Sequence, residues 1–207
     1  MKKITLSLFL AFSVGFCLSQ TLVSATQLSS RSTAQVQGTL NAYGWNASSM
    51  TLNPVVSYAI TYNTVDVHGN ATVASGAVYL PTLNSCEYAP MIAYNHGTEF
   101  KRNNVPSNGS YSGQGLYFSA TGFISVLPDY LGMGVNSGIH PYQHAESEAT
   151  ATIDLIRAVR EFLDTNTVIH DNGQLFLTGY SQGGHAAMAT NKYIEENSIV
   201  TIDSEVQ

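Results

Sequence analysis

Leu175-Phe176-Leu177-Thr178-Gly179-Tyr180-Ser181-Gln182-Gly183-Gly184-His185-Ala186-Ala187 is the stretch on which the reading of this chain turns. An apolar run leads into Gly-x-Ser-x-Gly, and an alanine-rich run follows. The pattern predicts a buried strand, a tight turn and a helix, the arrangement of a nucleophile elbow. Such a turn is sharp and strained, so the serine hydroxyl stands clear of the sheet. Gly179 and Gly183 leave room where strand and helix pass close together. The helix N-terminus adds free N–H groups and a positive field, both suited to a developing oxyanion. Three fixed residues alone are a weak signal, and the flanking strand and helix give it weight. The alternative is a glycine-rich turn carrying an inert serine.

Gln174–Thr178 is the strand before the turn and Ser181–Asn197 the helix after it. Upstream, Tyr142–Leu163 is the clearest helix, with Ala151, Leu155, Ala158, Val159 and Phe162 on one face. Met91–Tyr94 and Phe123–Leu127 are continuous apolar runs, as expected of parallel strands covered on both faces. Gly115–Ala120 between them fits a short helix. Val55–Tyr62 and Ala71–Leu80 are rich in β-formers and flank His68-Gly69-Asn70, which predicts an antiparallel hairpin. Thr26–Gln37 is small and polar and reads as an N-terminal arm. A hairpin followed by strand–helix–strand–helix points to a layered α/β sheet, with no internal repeat.

The first residues read as a secretory signal peptide: Lys2 and Lys3, then an apolar run from Ile4 to Cys17. That run is short for a membrane span, and no later segment is long and apolar enough to make one. Cleavage after Ser19 or after Ala25 fits the small-residue spacing. The expected organisation is therefore a signal peptide over 1–25 and one domain portion over 26–207. Phe16 stands where a lipid anchor at Cys17 needs a small residue, which argues against that anchor. Cys86 is then the one cysteine of the exported chain, too few for an intrachain disulfide, and reads as a small packing residue. The net charge is −6 with 8 Lys plus Arg, so no basic stripe exists for nucleic acid. Oligomeric state is not legible.

These residues together resemble the α/β-hydrolase superfamily, and more narrowly its secretory lipase and exported esterase branch. The matching segments are Tyr94-Asn95-His96-Gly97-Thr98, Leu127-Pro128-Asp129-Tyr130-Leu131-Gly132-Met133-Gly134, His140-Pro141-Tyr142 and Gly179-Tyr180-Ser181-Gln182-Gly183-Gly184-His185. The resemblance covers roughly residues 55–197. It implies Ser181 as the nucleophile that forms an acyl-enzyme with an ester or lipid substrate. It implies backbone N–H of Gln182 as one oxyanion donor and that of Thr98 as the other. His96, Gly97, Gly179 and Gly183 would support them. No cofactor and no metal are implied.

Asp129 follows a strand end, but the scaffold runs serine, acid, histidine along the chain. Asp129 precedes Ser181, so a structural or substrate-loop role is expected. His140 and His144, with Glu146 and Glu148 near, resemble metal-ligand spacing; Pro141 between them favours a structural pair at a helix start. After Ser181 the one histidine is His185, four residues along the same helix and expected to point away from the hydroxyl. Glu195, Glu196, Asp203 and Glu205 follow no suitable further strand. The expectation is therefore the N-terminal portion of a longer hydrolase, with Ile199–Ile202 as the start of the next strand. Residues 26–207 alone are expected to turn over esters negligibly. Two other functions fit the same pattern: a non-catalytic binding or accessory relative, and an exported peptidase or acyl-transferase on the same scaffold.

Overall fold

The computed structural model describes residues 20–83, 88–166 and 169–197. The strands are β1 (Leu22–Arg31), β2 (Val55–Val65), β3 (Ala71–Pro81), β4 (Tyr88–Asn95), β5 (Ile124–Pro128) and β6 (His170–Gly179). The helices are α1 (Thr33–Ala42), α2 (Ser112–Ala120), α3 (Ala145–Asn166) and α4 (Gln182–Glu196). The strands form one mixed sheet in the order β1-β2-β3-β5-β4-β6. The pairs β1–β2, β2–β3 and β3–β5 are antiparallel, while β4 runs parallel to both β5 and β6. This is the α/β-hydrolase architecture.

Alternation along the central strands builds two cores. Val78 and Leu80 of β3 and Ile124 and Val126 of β5 pack with Ile153, Leu155, Ile156 and Val159 of α3. Ala77 and Tyr79 of β3 and Leu127 of β5 face the other way, against Val36, Leu40, Leu116 and Ala120. The helices therefore cover both faces of the sheet. Gly76 allows α3 to close on β3: a Cβ there would lie 2.5 Å from a Leu155 methyl and 2.7 Å from the Leu127 carbonyl. The predicted helical stripe of Ala151, Leu155, Ala158, Val159 and Phe162 is buried throughout. The predicted hairpin is β2–β3. Its turn is held by the Asp66 carboxylate, which accepts from the N–H groups of His68 and Asn70 at 2.8 and 2.9 Å.

Two expectations are corrected. The N-terminal arm is instead strand β1 followed by α1. β1 carries mostly exposed small polar residues, so hydrophobic alternation is absent, and its ladder to β2 sets its conformation. Helix α1 buries Val36 and Leu40 and starts from a reciprocal cap between Ser32 and Gln35. The sheet also begins before residue 26. Leu22, Ser24 and Ala25 pair with Tyr62, Thr61 and Ile60. The N–H groups of Thr21 and Leu22 donate to the Glu161 carboxylate at 2.8 and 2.7 Å. The second correction concerns β6, expected to be buried. Its side chains are half-buried or exposed, with Phe176 48% exposed, because it is the edge strand among the described residues. Cys17, Cys86, Ile199–Ile202, Asp203 and Glu205 lie outside the described residues. No helix among the described residues is long and apolar enough to cross a membrane.

Candidate active site

The β6–α4 junction is a sharp elbow. Ser181 is exposed and adopts φ 55°, ψ −117°, outside the regions ordinary residues prefer. Holding a non-glycine residue there costs on the order of 1–3 kcal/mol, and such strain concentrates at functional positions. The Ser181 carbonyl already accepts from the N–H of Gly184 at 2.9 Å, so α4 starts at the serine itself.

The elbow glycines are sterically required. A Cβ on Gly183 would lie 1.9 Å from the Asn95 carbonyl oxygen, and one on Gly179 2.1 Å from the Gly183 carbonyl oxygen. The end of β4, the end of β6 and the first turn of α4 thus meet backbone to backbone. Tyr180 N–H closes the junction by donating to the Asn95 carbonyl at 3.2 Å.

The chain after β4 then passes beside the serine. A Cβ on Gly97 would lie 3.2 Å from the Tyr180 ring, 3.3 Å from its carbonyl oxygen and 3.7 Å from the Ser181 Cβ. Thr98 follows on this loop, its hydroxyl 3.2 Å from that of Tyr142. Gln182 is buried at the first position of α4, where a backbone N–H has no intrahelical acceptor. The structure therefore brings Ser181, Gln182, Gly97, Gly179 and Gly183 to one place, with Thr98 next along the loop.

His96 is built into the wall behind this loop. Its ring stacks on Tyr111 and packs on Tyr130, with centroid separations of 4.8 and 4.5 Å. Nδ1 lies 2.7 Å from the Gly97 carbonyl oxygen, and the Tyr130 hydroxyl donates to the His96 carbonyl at 2.9 Å. Burial holds the imidazole below its ordinary pKa, so it is neutral in the fold. In the unfolded chain it titrates near its usual value, about 6.5. Below that pH the unfolded chain takes up a proton that the folded protein does not, so stability falls as pH falls. Urea unfolding is expected to show the His96 share of this loss setting in as pH falls through about 6.5 and growing until the imidazole is protonated in the folded protein too. A His96→Phe protein, which keeps an aromatic between the tyrosines, should have the shallower slope. Equal slopes would contradict a buried neutral imidazole.

Of the two roles expected of Asp129, its position fits the structural one. Its buried carboxylate accepts from the Ser75 hydroxyl at 2.5 Å and from the Ser107 N–H at 2.9 Å. Burial raises its pKa, while the bonds from Ser107 and Ser75 oppose that. His140 and His144 do not form a pair. His144 caps α3, Nδ1 accepting from Ser147 N–H at 3.3 Å. His140 instead reaches across to Gln182, the two Nε2 atoms 2.9 Å apart. Among the described residues no group of three His, Cys, Asp or Glu side chains is placed to hold a metal. Glu195 and Glu196 are engaged along α4 with Asn191 and Lys192.

His185 turns to Glu148 of α3, its Nδ1 2.7 Å from the Glu148 Oε2. Glu148 is the residue that sequence reasoning passed over. It is 1% exposed, and its two side-chain partners, Gln182 and His185, lie 34 and 37 positions away. The one signal was a glutamate beside the histidines at a helix start.

A family model described as secretory lipase matches residues 117–198. Among solved structures, a candidate hydrolase from Legionella pneumophila is 31% identical with a TM-score of 0.78, covering 86% of this chain and 48% of its own. The rice cell wall degrading esterase LipA from Xanthomonas oryzae is 32% identical with a TM-score of 0.77, covering 87% of this chain and 47% of its own. Candida antarctica lipase A, at 14% identity and a TM-score of 0.52, covers 85% of this chain and 38% of its own and shares the fold. The chain thus spans about half the length of the first two structures. Among curated protein sequences, none matches significantly.

Proposed function

We propose that this chain, which belongs to the secretory lipase family of α/β-hydrolases, carries the nucleophile and oxyanion donors of an exported carboxylic ester hydrolase. The observation that carries the reading is the strained, exposed Ser181 at the head of α4, with the Gly97 loop alongside. The Ser181 hydroxyl attacks the acyl carbonyl and loses its proton to a base. The tetrahedral oxyanion is held by N–H of Gln182 and of Thr98. It collapses with loss of the alcohol to an acyl-enzyme, which water hydrolyses.

On this scaffold the acid and the histidine follow the elbow in sequence. They belong to sequence outside the described residues, and the activity to the complete hydrolase. His96 is stacked between tyrosines and His185 is bound to Glu148, which argues against either as the base. For export, the leader ends at Ser19, because cleavage after Ala25 would remove paired residues of β1.

The full gene product should hydrolyse p-nitrophenyl esters and leave matched peptide amides intact. Cleavage of the amides with no action on the esters would replace this reading with that of a peptidase. A Gly97→Val protein tests the oxyanion loop. The added methyl groups press on Tyr180 and Ser181. Turnover should fall by an amount equivalent to about 3 kcal/mol, with KM little changed. Unchanged turnover in a folded variant would place the second donor elsewhere.

A further inference from the structure

The side chain of Gln182 is held by a buried polar network that has no part in the steps above. Glu148 is 1% exposed and supplies the acceptors. Its Oε1 accepts from the Gln182 side-chain amide at 2.8 Å and from the Gln143 N–H at 3.2 Å. Its Oε2 lies 2.7 Å from His185 Nδ1. The same Gln182 nitrogen lies 2.9 Å from His140 Nε2. An amide nitrogen only donates, so His140 Nε2 must be the unprotonated acceptor. Its Nδ1 then bears the proton and donates to the Leu131 carbonyl at 2.7 Å. Rotating the Gln182 amide by half a turn would set its oxygen against both the carboxylate and the His140 lone pair. The observed orientation leaves Gln182 Oε1 buried without a partner, yet it is the one in which both amide hydrogens find acceptors.

Three parts of the fold converge here: α3 through Glu148, the segment after β5 through His140, and α4 through His185. The segment after β5 is itself fixed. Gly132, at φ 75°, lies so close to the backbone of His140 that a Cβ would sit 2.2 Å from the His140 nitrogen. Arg102 donates to the carbonyls of Asn136 and Gly138. A carboxylate buried at this cost tethers the residue directly after Ser181.

We propose that Glu148 is a positioning residue. Through the Gln182 side chain it fixes the direction of the Gln182 N–H toward the oxyanion, with His140 as the second tether. The inference rests on the reading of Ser181 as nucleophile. Positioning errors of about 1 Å at such a site cost on the order of 10²-fold in rate.

The test is made in the full gene product with Ser181→Ala as a parallel arm, counting active sites with a fluorophosphonate. Glu148→Ala should lower kcat per titrated site about 10²-fold, with KM within about twofold of wild type. It should weaken a trifluoromethyl ketone, which mimics the tetrahedral adduct, by a similar factor. Glu148→Gln should recover most of the loss, since its carbonyl can accept from Gln182 and its amide can donate to His185. If Glu148→Ala does not fold, His140→Phe keeps a ring on Tyr130 and removes one tether; a drop in kcat with KM unchanged is then expected. Wild-type kcat per titrated site in the folded Ala variant, or in His140→Phe if the Ala variant does not fold, would overturn the inference. It would do so while leaving Ser181 as nucleophile, provided Ser181→Ala is inactive. A fully active Ser181→Ala would overturn the underlying reading as well.

Discussion

Replacing Ser181 with alanine is expected to lower ester hydrolysis by about 10³-fold or more without unfolding the domain. The two halves of that expectation have separate grounds. Activity falls because no acyl-enzyme can form on a methyl group. Stability holds because the Ser181 side chain is exposed and makes no capping bond to α4. Residual rate would come from oxyanion donors and binding, which still exceed water when the nucleophile is gone. Initial rates on p-nitrophenyl butyrate, with circular dichroism as the folding check, measure both halves. A folded alanine variant with most of its activity would move the nucleophile elsewhere.

The second large effect is predicted for Gly183→Ala. The added Cβ would need to move more than an ångström from the Asn95 oxygen. What it meets is the backbone of β4, a strand with neighbours on both sides, so neither partner has room to yield. Destabilisation of about 3 kcal/mol or more is expected, with activity lost because Asn95 leads into the Gly97 loop. Gly184→Ala is the control. Its nearest outside atom is 3.9 Å from the would-be Cβ, and alanine favours the helix. Its urea midpoint should match or exceed wild type. Similar losses in both variants would contradict a specific backbone crossing at Gly183.

The elbow was legible because its requirements are local. Glycine at 179 and 183, a strand before and a helix after are all set within a dozen residues, and the contacts at Asn95 account for both glycines. The α3 stripe and the β2–β3 hairpin were legible for the same reason: period and turn chemistry are carried by neighbours in sequence. β1 and α1 were not. β1 is held by ladder bonds to β2 and by Glu161, and neither leaves an apolar pattern in residues 22–31. The polar wall of the site was the least legible part. His96 is defined by Tyr111 and Tyr130, and Gln182 by Glu148 and His140, all brought in from other elements. Spacing alone gave His140 and His144 a kinship that the fold dissolves, since one caps α3 and the other holds Gln182.

The most direct measurement of the central claim is the site of covalent modification. The full gene product is treated with a fluorophosphonate, digested, and its peptides are sequenced by mass spectrometry. One adduct is expected, on Ser181, and it should fail to form in the Ser181→Ala protein. An adduct on another residue, or an active enzyme that leaves Ser181 unmodified while another serine reacts, would contradict it.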